Sequence, residues 1–442
     1  MSFDAKTKED VLKLCEENNV KFIRLWFTDI LGKLKSFAIT YAELEDALGH
    51  GAGFDGSSIE GYRDIEESDM LAMPDPTTFQ LLPWQSDDEH RVGRMVCDIL
   101  TPDGNPYVGD PRYILKKQLA RAKAKGYTFY FGPELEYFYF KDNKDTKIIE
   151  KAGYFDLEPL DTTAEVRKET VLALEKMGLQ IECEHHEVAP SQHEIDIRYC
   201  EALKMADDVQ TYKVVVKEIA RKHELYATFM PKPIFGENGS GMHTHQSFFK
   251  DGKNAFFGEG EEYNISKEGK MYIAGILKHA REFCSITNQS VNSYKRLVPG
   301  YEAPVYVAWS TANRSAMVRI PNFRPGAEKA TRMELRCPDP LGNPYLQFAV
   351  MIAAGLEGIE KEYPLSDPVN KNIFDMSKEE MDELSIPTLP ASLGDAVELT
   401  AKSELIRGTL GDHIFDRFIE IKRREWDEYR LQVTKWELDK YL

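Results

Sequence analysis

A period of two in the charged residues constrains this chain more than any other feature. Side chains at i and i+2 of a β-strand leave the same face, so GPELEYF sets Glu134 and Glu136 side by side among apolar and aromatic neighbours. GMHTHQS does the same with His243, His245 and Ser247, and RMELRCP with Arg332, Glu334 and Arg336. HEIDIRY adds Glu194, Asp196 and Arg198, with Ile195 and Ile197 opposite. A single Glu-x-Glu reads best as a solvated strand face. The repetition defeats that reading, because burying so many unpaired carboxylates would be prohibitively costly. They need cations. Glu187 ends a strand just before the turn VAPSQ, which lets it meet Glu194 across a short connection. Donors dominated by carboxylate oxygen, with little imidazole and no thiolate, suit Mg²⁺ or Mn²⁺ rather than zinc. No HExxH occurs. His185, His186 and His193 lie beside the glutamates, but a strand histidine is more often packed than ligating.

The formal charge of −18 disfavours nucleic acid and anionic membranes as partners. It also means that an anionic substrate requires a local basic site. One is present: Arg296, Arg314, Arg319, Lys329, Arg332 and Arg336 fall within about forty residues. Guanidinium groups bind carboxylate and phosphate bidentately and, with a divalent ion, neutralise a transferring phosphoryl group. No GxxxxGK[ST] loop occurs, and the Gly-rich GENGSGMH reads equally well as a turn entering the strand of His243.

The 442 residues allow two to three domains at about 150 residues each, or one large catalytic unit. The N-terminal segment reads as a charged amphipathic helix without the apolar core of a signal peptide. The longest apolar stretch, near Phe348–Gly355, is too short to span a bilayer. Six scattered cysteines without a CxxC pair read as reduced thiols, so a cytoplasmic location is expected. KFIRLWFTD and LGKLKSFAIT read as a hairpin turning near Gly32. Pro111, following Asp110, opens a helix. Further helices are expected over 164–178, 203–223, 268–288 and 344–361, with one long aromatic helix at the C-terminus. The class is α+β, with polar-faced strands backed by helices.

Taken in order, FDGSS, GPELEYF, EVAPSQHE, NGSGMHTH, YKRLVPGYEAP, NRSAMVRIP and RMELRCPDP resemble the motif set of type I glutamine synthetase. The resemblance spans nearly the whole chain. It implies an N-terminal β-grasp domain over 1–105 and a catalytic domain over 106–442, with a curved antiparallel sheet backed by helices. It implies ATP-dependent ligation of ammonia to glutamate through γ-glutamyl phosphate, with two or three Mg²⁺ or Mn²⁺ ions per site. It also implies a homo-dodecamer of two stacked hexamers with sites shared between neighbours. By the same resemblance, Glu136, Glu187 and Glu194 hold one metal, and Glu134, His243 and Glu334 hold the other. Arg332 and Arg336 steady the phosphoryl group, Arg314 the nucleotide phosphates and intermediate, and Arg296 the glutamate α-carboxylate. His245, Ser247, Arg319 and Lys329 match nucleotide positions, and Asn238 and Gly239 glutamate positions. Glu302 matches a flap that closes over the intermediate and takes a proton from ammonium. Asp55 with Ser58, and Tyr154, match ammonium-site positions, Asp55 reaching in from an adjacent subunit.

Two departures bear on regulation, for which metabolite effectors or small regulatory proteins are the expected agents. Phe374 stands where one subgroup carries an adenylylated tyrosine, so the chain resembles the α-type instead. In GYRDIEESDM, Asp64 occupies the place of an arginine that relays glutamine inhibition, with Arg63 one place earlier. One position reverses side-chain direction in extended chain, so weak or absent glutamine feedback is expected. A relative that ligates glutamate to a bulkier amine is the competing enzyme reading. Retention of Asp55, Glu302 and Tyr154 favours ammonia, because a bulky amine has no use for a compact cation site. A structural oligomer would have lost metal ligands or arginines, and none is missing.

Overall fold

The computed structural model describes residues 3–62, 68–87, 89–311, 315–322, 326–371, 373, 376, 380 and 386–442. Arg63, Asp64, Arg314 and Phe374 lie outside the described residues.

Two sheets organise the chain. The first is built from β1 (Val20–Thr28), β2 (Leu34–Thr40), β3 (Ala52–Asp55), β4 (Asp69–Pro74), β5 (Gln80–Leu81) and β6 (Arg91–Leu100). Its order is β2-β1-β6-β4-β3, with β5 on β6; β1 and β6 are parallel and the other pairs antiparallel. Helices α1 (Lys8–Glu17) and α2 (Leu44–His50) cover it. Thr7 and Asp10 form a capping box at the start of α1, which turns Val11 and Cys15 into the core beneath. The β1–β2 turn falls at Gly32, where φ is +81° and a Cβ would sit 2.8 Å from the Asn343 Cα, so only glycine fits.

The second sheet comprises β7 (Tyr127–Phe140), β8 (Ile181–His186), β9 (Gln192–Ile197), β10 (Cys200–Glu201), β11 (Tyr226–Thr228), β12 (Met242–Lys250), β13 (Lys253–Asn254), β14 (Tyr306–Ser310), β15 (Ala316–Arg319) and β16 (Met333–Leu335). Its main path runs β14-β15-β16-β12-β7-β9-β8. Helices α3 (Pro111–Ala124), α4 (Ala164–Lys176), α5 (Ala202–Lys222), α6 (Lys267–Thr287), α7 (Ser293–Arg296) and α8 (Pro344–Glu360) accompany it. Alternation splits the strands as expected. Phe131, Leu135, Tyr137, Ile195, Met242 and Leu335 are buried in the helix-backed core, the Phe131 ring lying tilted against Phe348 of α8 with centroids 4.4 Å apart. The charged residues take the other face. This α+β arrangement has a small N-terminal sheet and a larger curved sheet backed by helices.

Buried polar contacts join the two parts. Gln210 of α5 donates to Thr28 Oγ1 and the Gly32 carbonyl, both at 3.1 Å, and Asn343 donates to the Asp29 carbonyl at 3.0 Å. Arg112, at the start of α3, binds Asp75, Asp98 and Asp207 at 2.8, 2.6 and 3.0 Å. A guanidinium fork sharing three carboxylates satisfies its buried charge.

The C-terminus differs from the single helix expected. α9 (Leu393–Thr400) precedes α10 (Glu404–Arg430), which contains a non-helical Gly411 at φ +76°, and α11 (Lys435–Tyr441) begins anew behind the Thr434 cap. Thr434 and Glu437 form a capping box, a local signal that restarts a helix.

Candidate active site

Strand register arranges the charged face in rows. One row runs Arg319, Glu334, His245, Gly132 across β15, β16, β12 and β7. The next runs His243, Glu134, Asp196, Cys183 across β12, β7, β9 and β8. A third holds Glu136, Glu194 and His185. Residues directly opposite in antiparallel strands share a face, so period two along strands and pairing between them gather distant segments into one patch. Glu134, His243 and Glu334 offer ligand atoms within 4.8 Å of one another. Glu187 and Glu194 do the same, with His185 rather than Glu136 as the third member. Glu136 stands beside them with one oxygen occupied, Oε2 accepting from Gln192 Nε2 and from the Gly241 N–H, each at 2.9 Å.

The two triads differ electrically. Glu134 is half-buried, and that desolvation alone would raise its pKa, but His245 and His243 hold it well below the usual carboxylate range. Glu334 is lowered against its burial by His245 and Arg336. Arg319 and Arg336 each donate to it, at 2.8 and 2.6 Å. Arg332 Nε donates to His245 Nδ1 at 3.0 Å, so His245 Nε2 carries the proton given to Glu134 Oε1 at 2.7 Å. Burial and the Glu136 carboxylate push Glu187 up to about 8 and hold Glu194 well above its ordinary value. Burial and Glu134 also raise Asp196. Carboxylates crowded this way repel one another unless a cation intervenes. Oxygen-rich triads with one imidazole each fit a hard divalent ion.

The remaining candidates divide by place. Glu134, His245, Ser247, Lys329 and Arg332 line a cavity of about 300 Å³ together with Gly132 and Asp196. Arg336 is buried, and its Nε has no hydrogen-bond partner among the described residues. Arg296 is buried and donates to the carbonyls of Cys337, Pro338 and Arg336 at 2.8, 3.2 and 3.1 Å, which commits most of its fork to backbone. A Cβ at Gly241 would lie 2.5 Å from Arg296 Nη2, and one at Gly239 would overlap the Pro231 carbonyl. The NGSG glycines therefore admit this guanidinium to the strand edge. Asn238 Nδ2 reaches Glu302 Oε2 at 3.4 Å, and Glu302 takes the left-handed backbone region at φ +55°. Tyr154 stacks on Phe155 at 4.1 Å and meets the His185 ring edge-on at 5.5 Å. Asp55 and Ser58 are exposed at the edge of the first sheet, where the Asp55 carboxylate accepts from the Ser57 N–H at 2.8 Å. Among the described residues, no hydrogen bond or ion pair joins them to the triads within one chain.

Three residues that sequence reasoning left unassigned stand in the site. Asp196 was visible in the alternation of HEIDIRY, yet only register shows it facing Glu134. His185 joins Glu187 and Glu194 because β8 pairs with β9, which no spacing announces. Gln192 locks Glu136 and also donates to the Gly239 carbonyl at 3.1 Å, a link without any local signal.

A small sheet domain packed on a curved sheet whose open face carries two metal-fitting triads and a fringe of arginines defines a metal-dependent enzyme for phosphate and carboxylate chemistry. Comparison with known proteins narrows this class. Residues 19–102 match the family described as "Glutamine synthetase, beta-Grasp domain", and residues 108–441 the one described as "Glutamine synthetase, catalytic domain". The chain belongs to the glutamine synthetase family. It is 52% identical to a glutamine synthetase of Methanosarcina mazei over 440 residues, covering 99% of this chain and 98% of that one. It is 51% identical to a glutamine synthetase of Thermus thermophilus, covering 99% of both. Among solved structures, Plasmodium falciparum glutamine synthetase superposes with a TM-score of 0.90 at 27% identity over 100% of both chains. A protein named GmaS, in its ADP complex, superposes with a TM-score of 0.87 at 33% identity, covering 97% of this chain and 98% of that one.

Proposed function

We propose that this chain ligates ammonia to L-glutamate at the expense of ATP, giving L-glutamine, ADP and phosphate through γ-glutamyl phosphate. The observation that carries this reading is the pair of carboxylate–histidine triads on one sheet face, flanked by Arg319, Arg332 and Arg336. Mg²⁺ or Mn²⁺, two or three ions when bound at Glu134, His243, Glu334 and at Glu136, Glu187, Glu194, supplies charge neutralisation at the phosphates. Arg336, with a spare buried donor, and Arg332 hold the phosphoryl group as it passes to the glutamate γ-carboxylate; Arg314 belongs to the same task. His245, Ser247, Arg319 and Lys329 hold the nucleotide along the 300 Å³ cavity. The uncommitted edge of Arg296, with Asn238 and Gly239, receives the glutamate α-carboxylate and amino groups. Glu302 accepts a proton from ammonium and, as part of a closing loop, keeps water from the acyl phosphate. Tyr154 stands at the ammonium side beside His185.

Asp55 and Ser58 complete the ammonium site only from a neighbouring subunit, which supports a closed homo-oligomer, a dodecamer of two stacked hexamers. The division near residue 105 separates the donating sheet from the catalytic one. The six free thiols, with no described helix long and apolar enough to cross a membrane, support a cytoplasmic location. The test is ATP turnover with glutamate and Mg²⁺, comparing ammonium with small amines. Ammonium-dependent phosphate release is expected; turnover indifferent to ammonium overturns the reading.

A further inference from the structure

Glu150 lies outside both triads, yet its carboxylate is only 3% exposed and fully engaged. It accepts from the Ser191 N–H at 2.5 Å, from the Ala152 N–H, and from His186 Nε2 at 2.8 Å. The other ring nitrogen, His186 Nδ1, meets the Glu187 carbonyl at 2.6 Å, so both nitrogens face acceptors and both act as donors. Ser191 sits at φ +63°, a costly region for a residue with a Cβ. It is held there on three sides: its amide by Glu150, its Oγ by the Ile149 N–H at 2.9 Å, and its carbonyl by the Tyr139 N–H at 3.0 Å. The Phe155 N–H then donates to the His186 carbonyl at 3.1 Å. Residues 149–155 thus form a clasp over the β8–β9 hairpin. The turn of that hairpin carries Glu187, and the clasp carries Tyr154.

We propose that Glu150 is a positioning residue that, through His186 and the Ser191 amide, fixes Glu187 and Tyr154 relative to one another. The inference rests on the reading that Glu187 ligates a divalent ion. Glu150, His186 and His193 also approach one another within 4.8 Å, but they are not a third cation site. Arg167 Nη1 donates to His193 Nδ1 at 3.1 Å and Thr163 Oγ1 meets its Nε2 at 3.2 Å, so both ring nitrogens are already taken and neither is left for a metal ion. Among the described residues, Glu134, His243 and Glu334 make no hydrogen bond or ion pair with residues 149–155, so loss of Glu150 acts first on the triad of Glu187.

The test is Mn²⁺ alone, titrated into the full-length wild type and Glu150→Gln, with free Mn²⁺ counted by electron paramagnetic resonance. Partners that orient metal ligands typically govern affinity by about 10–100-fold. Glu150→Gln is expected to weaken one class of Mn²⁺ site by about 10-fold or more and leave the other unchanged. Its KM for ammonium rises while its KM for ATP stays put. A lower Tm with both Mn²⁺ classes and both KM values unchanged overturns the proposal and leaves Glu150 a structural residue. Wild type lacking any tight Mn²⁺ class overturns the metal reading itself. Should Glu150→Gln fail to fold, His186→Gln, which leaves Glu150 on the Ser191 and Ala152 amides, carries the same expectation and the same overturning result.

Discussion

Glu134 and Glu136 are two residues apart on one strand, yet their surroundings assign them different work. Glu134 is wrapped by His243 and His245 at 3.3 and 2.7 Å. Glu136 is tied to Gln192 and Gly241 next to the Glu187–Glu194 pair. Glu134→Ala is therefore expected to raise the KM for ATP most, and Glu136→Ala the KM for glutamate and ammonium; steady-state kinetics with identical defects in both variants would count against the split. Protonation gives a second expectation. A carboxyl pushed up to about 8 holds a proton in the folded state that the unfolded chain releases near its ordinary value of 4.5. The unfolded state binds fewer protons across that window, so the Glu187 contribution to metal-free stability is full below 4.5 and is lost as pH rises towards 8. Thermal unfolding between these limits should show the decline without metal. Saturating Mn²⁺ should reverse it, because the ion binds the ionised carboxylate.

At the scale of elements, the site depends on how closely the helices behind the sheet can pack. Gly275 of α6 and Gly358 of α8 face each other: a Cβ at Gly275 would overlap the Ala354 carbonyl, and one at Gly358 the Met271 carbonyl. Glycine here serves close approach of backbones rather than an unusual dihedral angle. Gly358→Ala is expected to destabilise the fold by about 1–3 kcal/mol, the usual cost of overpacking. Urea unfolding that shows no loss would mean the two helices slide apart without penalty. The elements themselves were largely legible in the sequence. Pro111 behind Asp110 marks α3, and the long periodic helices lie within a residue or two of where their periodicity places them. Short strands such as β3, β5 and β10 were not legible, because a two- to four-residue strand has too few positions to express a period. The break between α10 and α11 is masked in the sequence because aromatic residues continue across it.

At the scale of the whole molecule, the catalytic face lies on the second sheet, while Asp55 and Ser58 lie exposed on the first. If a neighbour supplies them, two defective variants should repair each other. Inactive Asp55→Ala and Glu334→Ala proteins, dissociated and reassembled together, should regain a measurable fraction of activity, since some mixed interfaces join two intact halves. No recovery in verified hybrids would mean that each chain carries a complete site. Regulation belongs to this scale as well. With Asp64 in place of the relaying arginine, activity in millimolar glutamine is expected to stay near its uninhibited rate, and strong inhibition in that assay would refute it.

The sequence by itself determined the kind of chemistry. Strand geometry makes period two an unambiguous statement about faces, and carboxylates repeated on one face demand cations wherever the strands lie. It also carried the ordered motifs that resemble a family of ammonia ligases. Only the tertiary structure brings Glu134 and Glu334 close enough to share an ion with His243, stands His185 with Glu187 and Glu194, and turns Asp196 toward Glu134. Register is the physical reason. Pairing between strands is set by turns, bulges and the helices behind them, and a shift of one residue would turn every one of these side chains to the opposite face.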